Sequence, residues 1–359
     1  MKWHIITCGI LALLGGLVSC QNANMENAPA EMSTDSVDTE RVGSDSVTEM
    51  TQSAAETEPI VYDEPVIPDP EGLEYAKKIP ETLQVDFESH EPIFLWKHRD
   101  YTPYWNDAVS GVEEPHLVPY LIGDGRERGC VIICPGGAYS YRESKHEGSN
   151  IAEFVNSNWN MQAFVLEYRV KPADYRAMIC DVLRAVRYVR YYAEDLGVDP
   201  EKITVMGFSA GGHLACMAAE MFDYGKVGDA IDHVSSRPDA AILCYPVISL
   251  LEEWGHEASA MNFLGNAYGD VSLAERFSGE LAVREDMPPV FVFHSKIDEA
   301  VDYRNSEALV KEMTKQGLPC ELRLYETGGH GCGLALGWGG DVSGWTQDCL
   351  TWLREIKIK

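Results

Sequence analysis

Short, continuous apolar runs alternate along most of the chain with longer stretches whose apolar residues recur every three or four positions. CVIIC (130–134) is uninterrupted and ends in Pro-Gly-Gly, which predicts a strand buried on both faces. MQAFVLEYRV (161–170), KITVMGFS (202–209), AAILCYPVI (240–248), PPVFVFHS (288–295) and CELRLYE (320–326) are also expected to be strands, and PIFLW (92–96) and HLVPYLI (116–122) are short strand-like runs. Between them, helices are predicted over 149–158, 173–196, 209–222, 305–317 and 343–356. In the longest, Met178, Val182, Ala185, Val186 and Val189 form the apolar stripe. Arg184, Arg187 and Arg190 are then expected on a solvated outer face, paired with acidic residues. Alternating strands and helices predict an α/β fold: a mostly parallel sheet covered by helices on both faces, with ligands beyond the carboxyl ends of the strands.

The beginning of the chain breaks this pattern. Lys2 precedes an apolar stretch from Ile5 to Val18, too short to span a membrane and ending in Leu17-Val18-Ser19-Cys20. This predicts a signal peptide over 1–20, and LVSC resembles the lipobox of bacterial lipoproteins, which implies lipidation of Cys20. Residues 21–71 are rich in Ser, Thr, Asp, Glu and Asn, lack an apolar period, and read as a disordered acidic tether stiffened by Pro65, Pro68 and Pro70. The catalytic domain is expected over 72–359. The protein is expected to be exported and lipid-anchored on the outer face of a bacterial membrane.

Composition narrows the partners. A formal charge of -28 argues against nucleic acid and against holding anionic lipid by charge, so membrane contact is expected through the N-terminal anchor only. With 45% hydrophobic and 10% aromatic residues the chain is globular in character. Cys130, Cys134, Cys180, Cys216, Cys244, Cys320, Cys332 and Cys349 form no C-x-x-C pair, and most sit in apolar runs as small core residues. No spacing suggests a metal site or a cofactor, and none is expected.

The chemistry begins at ITVMGFSAGGHLA (203–215), where Ser209 stands between a strand-like run and a helix-like run, with Gly207 before it and Gly211 and Gly212 after it. G-x-S-x-G at such a junction makes a turn sharp enough to present the hydroxyl, and only small residues fit beside it. A serine nucleophile needs a base, and the base needs an orienting acid. PPVFVFHS runs straight into Asp298, and CELRLYE into a glycine-rich loop carrying His330, so serine, acid and base follow in chain order, each after its own strand. Glu299 and Asp302 compete with Asp298, which comes soonest after the strand. His213 and His294 read as structural histidines, and His146 is left open. Donors for an oxyanion are expected from the N–H of Ala210 and from Gly137 or Ala138 in the loop CPGGAY.

Together CPGGAY, LEYRV, DPEKITVMGFSAGGHLA, PPVFVFHSKIDEAVDYRNS and GGHGCGL resemble the α/β-hydrolase esterases, particularly the acetyl-xylan-esterase-like and feruloyl-esterase-like branch. The resemblance covers about Val118 to the C-terminus. It implies Ser209 as nucleophile, Asp298 as acid, His330 as base, and hydrolysis of short acyl esters, acetyl first, on xylan or other plant polysaccharide fragments. Two positions depart from it: Ala138 replaces a usual glycine, and Cys332 a usual phenylalanine. Tyr139 is expected to contact substrate, with Trp254, Met261 and Phe263 roofing the pocket. The alternatives are a formamidase or peptidase on the same fold, or a catalytically silent carbohydrate-binding lipoprotein.

Overall fold

The computed structural model describes residues 83–96, 102–107 and 112–359. The signal peptide with Cys20, the acidic tether and the expected domain start at 72 lie outside these residues.

Eight strands form one sheet in the order β1-β2-β4-β3-β5-β6-β7-β8. They are β1 (Ile93–Phe94), β2 (His116–Tyr120), β3 (Arg128–Cys134), β4 (Gln162–Glu167), β5 (Val198–Phe208), β6 (Ala240–Cys244), β7 (Val290–Ser295) and β8 (Cys320–Tyr325). The pairings from β4 to β8 are all parallel, whereas β1 with β2 and β2 with β4 are antiparallel. The period of two along a strand divides each apolar run between the two faces. In β3, Cys130, Ile132 and Cys134 join one core cluster while Val131 and Ile133 join the other. A continuous apolar run is what a strand covered on both sides requires.

Helices supply that cover. The helices α1 (Asn150–Phe154) and α7 (Trp345–Glu355) place Ile151, Ala152, Trp345, Cys349, Trp352 and Leu353 in one cluster. On the other face lie α2 (Tyr175–Tyr191), α3 (Ala210–Glu220) and α6 (Arg304–Lys315), through residues such as Met178, Val182, Leu214, Met217, Leu309 and Met313. Two short helices, α4 (Glu257–Leu264) and α5 (Val271–Arg276), occupy the mixed segment between β6 and β7.

The arginine face of α2 is a correction. Arg184 and Arg187 are buried rather than solvated. Arg184 forms a bidentate pair with Asp229 and donates to Leu95 O, and Arg187 donates to the carbonyls of Phe222, Tyr224 and Gly225. Arg190 is half-buried and pairs with Asp239 at 2.8 Å. The pairing with acidic residues holds, but the chain between α3 and β6 folds over these side chains. Most of the guanidinium donors are met, which makes such burial tolerable, and Arg187 Nε is the one of them left without a partner. Cys130, Cys134, Cys180, Cys216, Cys244, Cys332 and Cys349 are buried free thiols, and Cys320 is half-buried.

Candidate active site

The parallel register brings three loops together at the carboxyl edge of the sheet. Phe208 pairs with Cys244 and Cys134 with Gly207, so the turn after β5 sits against the end of β6 and the loop after β3. His294 pairs with Leu324, and Ser295 with Tyr325, so the loops after β7 and β8 leave side by side.

Ser209 sits at the first of these turns with φ 54° and ψ -120°, a strained conformation for a residue with a side chain. The surroundings impose it. A Cβ on Gly207 would lie 1.9 Å from Gly211 O, and one on Gly211 would lie 2.1 Å from Cys134 O. Ser209 N–H donates to Cys244 O at 3.0 Å, which ties the turn to β6. The hydroxyl thus stands at the amino end of α3, beside the unpaired N–H of its first residue, Ala210.

His330 Nε2 is 2.8 Å from Ser209 Oγ, and His330 Nδ1 is 2.8 Å from Asp298 Oδ2. Asp298 Oδ1 accepts from the N–H groups of Ala300 and Val301, each at 2.9 Å, and Oδ2 lies 3.3 Å from His294 Nε2. Burial by itself would raise the pKa of this carboxyl. Hydrogen bonds from His294 and His330, with the backbone bond from Val301, overcome that and hold it well below the usual carboxylate range. An ionised carboxylate keeps a proton on His330 Nδ1, which leaves Nε2 as acceptor for the serine hydroxyl. Glu299 is exposed, and Asp302 is engaged by Arg304, so neither competes for the imidazole.

The loop CPGGAY runs directly against the serine: a Cβ on Gly136 would fall 3.0 Å from Ser209 Cβ. Gly137, Ala138 and Tyr139 all have positive φ, at 126°, 52° and 57°. Gly137 is obligatory, because a Cβ there would meet Tyr141 O at 2.2 Å. Ala138 O accepts from Asn262 Nδ2 at 2.8 Å, which ties the loop to α4.

Tyr139 is a second correction. The left-handed turn sends its ring inward, where it is fully buried against Phe263 and Tyr168. Its hydroxyl donates to His213 Nδ1 at 2.7 Å, and His213 Nε2 donates to Phe277 O at 2.7 Å. Tyr139 therefore anchors the CPGGAY loop from within the core and offers no surface to a substrate. Tyr141, 58% exposed, is the aromatic that faces outward. Phe263 is likewise core, whereas Met261 is exposed and Trp254 half-exposed. His213 and His294 are fully buried and satisfied, as expected of structural histidines. His146, left open by the sequence, holds Gly331 O through Nε2 at 2.9 Å.

Beside this centre residues 249–253 and 255–257, with Ala260 and Tyr268, line a cavity of about 340 Å³. His256 belongs to that lining and is close enough to His330 and Asp298 to feel their charges; burial is the main cause of its lowered pKa. The group that sequence reasoning missed is Glu147. It is 4% exposed, and its carboxyl reaches the backbone of the CPGGAY loop at Gly136.

Residues 123–313, more than half the chain, match the BD-FAE family. The chain belongs to that α/β-hydrolase family. An acetylxylan esterase of Xylanibacter ruminicola is 33% identical over 229 residues, covering 63% of this chain and 45% of that protein. Endo-1,4-beta-xylanase B of Butyrivibrio fibrisolvens is 33% identical over 257 residues, covering 68% of this chain and 39% of that protein. This BD-FAE chain thus spans less than half the length of these two curated relatives. The crystal structure of an acetyl ester-xyloside bifunctional hydrolase from Caldicellulosiruptor lactoaceticus superposes with a TM-score of 0.70 at 38% identity, covering 75% of this chain and 97% of that one.

Proposed function

We propose that this protein is a serine carboxylesterase that removes short acyl groups, acetyl foremost, from xylan-type or other plant polysaccharide fragments. The observation that carries this reading is the unbroken relay from Ser209 Oγ through the His330 imidazole to buried Asp298, with 2.8 Å at each step. His330 takes the hydroxyl proton as Ser209 attacks the ester carbonyl, and Asp298 stabilises the imidazolium that forms. The N–H groups of Ala210 and of Gly137 or Ala138 receive the oxyanion. His330 then protonates the departing alcohol, and water releases the acyl group by the same steps in reverse order of roles.

The acetyl and xylan parts of the proposal draw on the relatives' named activities. They gain support from the cavity beside His256, whose Glu252, Glu253 and Glu257 offer acceptors to sugar hydroxyls and whose Tyr268 offers a ring face. We also propose, from the LVSC junction, that the protein is exported and anchored through lipid on Cys20. Cys20→Ser should then move it out of the membrane fraction of its cell; unchanged fractionation would remove the anchor from the reading.

A fluorophosphonate probe should label the wild-type chain and leave Ser209→Ala unlabelled. Turnover by Ser209→Ala should fall by roughly four to six orders of magnitude. In a series of acyl esters, kcat/KM should decline from acetyl through butyryl to octanoyl, in a gradual manner because each methylene is worth only about 1–3 kcal/mol. Labelling that survives in Ser209→Ala would defeat the serine mechanism. A preference for octanoyl would leave that mechanism standing and defeat the carbohydrate-deacetylase reading.

A further inference from the structure

Glu147 stands between the two loops that the proposed reaction needs most. It lies in a π-helical turn, Lys145–Ser149, just ahead of α1. Its Oε2 accepts from Gly136 N–H at 2.8 Å, at the start of the oxyanion loop. Its Oε1 accepts from the Tyr245 hydroxyl at 2.7 Å, and the Tyr245 oxygen in turn accepts from Gly333 N–H at 3.0 Å. Gly333 is three residues past His330, and the Tyr245 ring packs edge-on against the His330 ring with centroids 5.1 Å apart. A Cβ on Gly136 would meet Glu147 Oε2 at 2.5 Å and Ser209 Cβ at 3.0 Å, so the loop is packed closely against both the carboxylate and the serine.

The direction of these bonds identifies what position 147 must offer. Gly136 N–H can only donate. Gly333 N–H also donates, which commits the Tyr245 oxygen as its acceptor and the Tyr245 proton to Glu147. Two donors therefore converge on one side chain, and a carboxylate meets both. A glutamine would meet one and turn an N–H toward the other, leaving a buried hydroxyl proton without an acceptor. This chain of bonds links the oxyanion loop to the base.

We propose that Glu147 is a positioning residue: it joins the oxyanion loop to the His330 loop in register with Ser209, and its negative charge supports the cationic form of His330. The kinetic consequences rest on the serine esterase reading; the geometry does not. Burial raises the pKa of this carboxyl, and the bonds from Tyr245 and Gly136, with the charges of His330 and His146, work against that. The titratable groups facing the carboxylate are His330, His146, Tyr245, Tyr168, Cys244 and Cys332. The two histidines alone can become cationic, and His146 is outside the relay.

The test uses the full chain as wild type, Glu147→Gln, Tyr245→Phe and the double variant, with 4-nitrophenyl acetate as substrate. Glu147→Gln should lower kcat by about 10- to 100-fold, the scale of a displaced catalytic group, with KM changed far less. Removing the charge destabilises the imidazolium, so the acidic limb of kcat/KM should move to lower pH by roughly 0.5 to 1 unit. Tyr245→Phe breaks the same link from its other end, so the double variant should be scarcely slower than the worse single one. NMR titration of labelled histidine should show the pKa of His330 lowered in Glu147→Gln, and this readout needs no turnover. Wild-type kcat with an unmoved acidic limb would overturn the proposal. So would a loss of kcat matched by a loss of Tm with the His330 titration unchanged, which is the signature of a merely structural residue. If the wild type hydrolyses no ester and takes no fluorophosphonate, the esterase reading fails on its own, and the NMR titration still decides the role of Glu147.

Discussion

At Asp298, donors from His330, His294, Ala300 and Val301 converge on one carboxyl whose side chain is fully buried, while its neighbour Glu299 is exposed. Asp298→Asn should therefore lower kcat by about 10⁴-fold while the fold persists, and Glu299→Gln should stay near wild type. Steady-state kinetics on the purified variants checks this, and the reverse ordering would show the acid to be misassigned. The convergence of Ser209, Asp298 and His330 was legible in the sequence because each lies in the loop directly after its own strand, and a strand end limits where the next few residues go. Tyr139 was not. Where its ring points depends on a positive φ and on the acceptor that His213 provides 74 residues away. Glu147 was still less legible, since its burial depends on a hydroxyl 98 residues along the chain. An acidic residue ahead of a helix ordinarily reads as solvated.

Elements were readable where the period was unambiguous and misread where one face was inferred by subtraction. The runs at 130–134, 202–209, 240–248 and 288–295 each hold a strand, because their apolar, β-branched and aromatic stretches suit a sheet covered on both faces, whereas CELRLYE, interrupted by Glu321 and Arg323, forms the part-exposed strand at the end of the sheet. Their ends were less certain: the run 92–96 pairs only over Ile93–Phe94, and β5 begins earlier than expected, at Val198. The antiparallel direction of β1 and β2 has no signature in composition, since it follows from which neighbour each strand finds. On α2 the stripe from Met178 to Val189 was correctly placed in the core, but the arginines beside it were assigned to water because they were not apolar. A helix in contact with chain on nearly all sides has no outer face to give them, and Asp229 and Asp239 move inward with them instead. The helix expected over 149–158 begins instead as the π turn at Lys145, and that turn brings His146 and Glu147 to the site.

For the molecule as a whole, the buried histidine behind the CPGGAY loop sets part of the response to acid. His213 is fully buried, and burial lowers its pKa to about 4 from the usual 6.5, only partly offset by its bond to Phe277. The folded state keeps it neutral while the unfolded chain protonates it below 6.5, so its contribution is intact above pH 6.5 and is lost as pH falls toward 4. The loss amounts to about 3 kcal/mol across that window. Other groups act in the opposite sense. Burial raises the carboxyls of Glu147, Glu220 and Glu280, so the folded state takes up their protons first and gains stability as pH falls toward their unfolded values. Relief of repulsion in a chain of formal charge -28 adds to that trend. Asp298, held low in the folded state, loses its contribution only below the ordinary carboxylate range, outside the window of His213. Because these other terms are shared by a variant that changes His213 alone, comparison of wild type with His213→Gln isolates the histidine. Urea unfolding at pH 7.5, 6, 5 and 4 should find His213→Gln less stable at pH 7.5, with the gap narrowing by about 3 kcal/mol by pH 4. A constant gap would mean that His213 carries the same charge folded and unfolded, and that the Tyr139 hydroxyl does not donate to a neutral Nδ1.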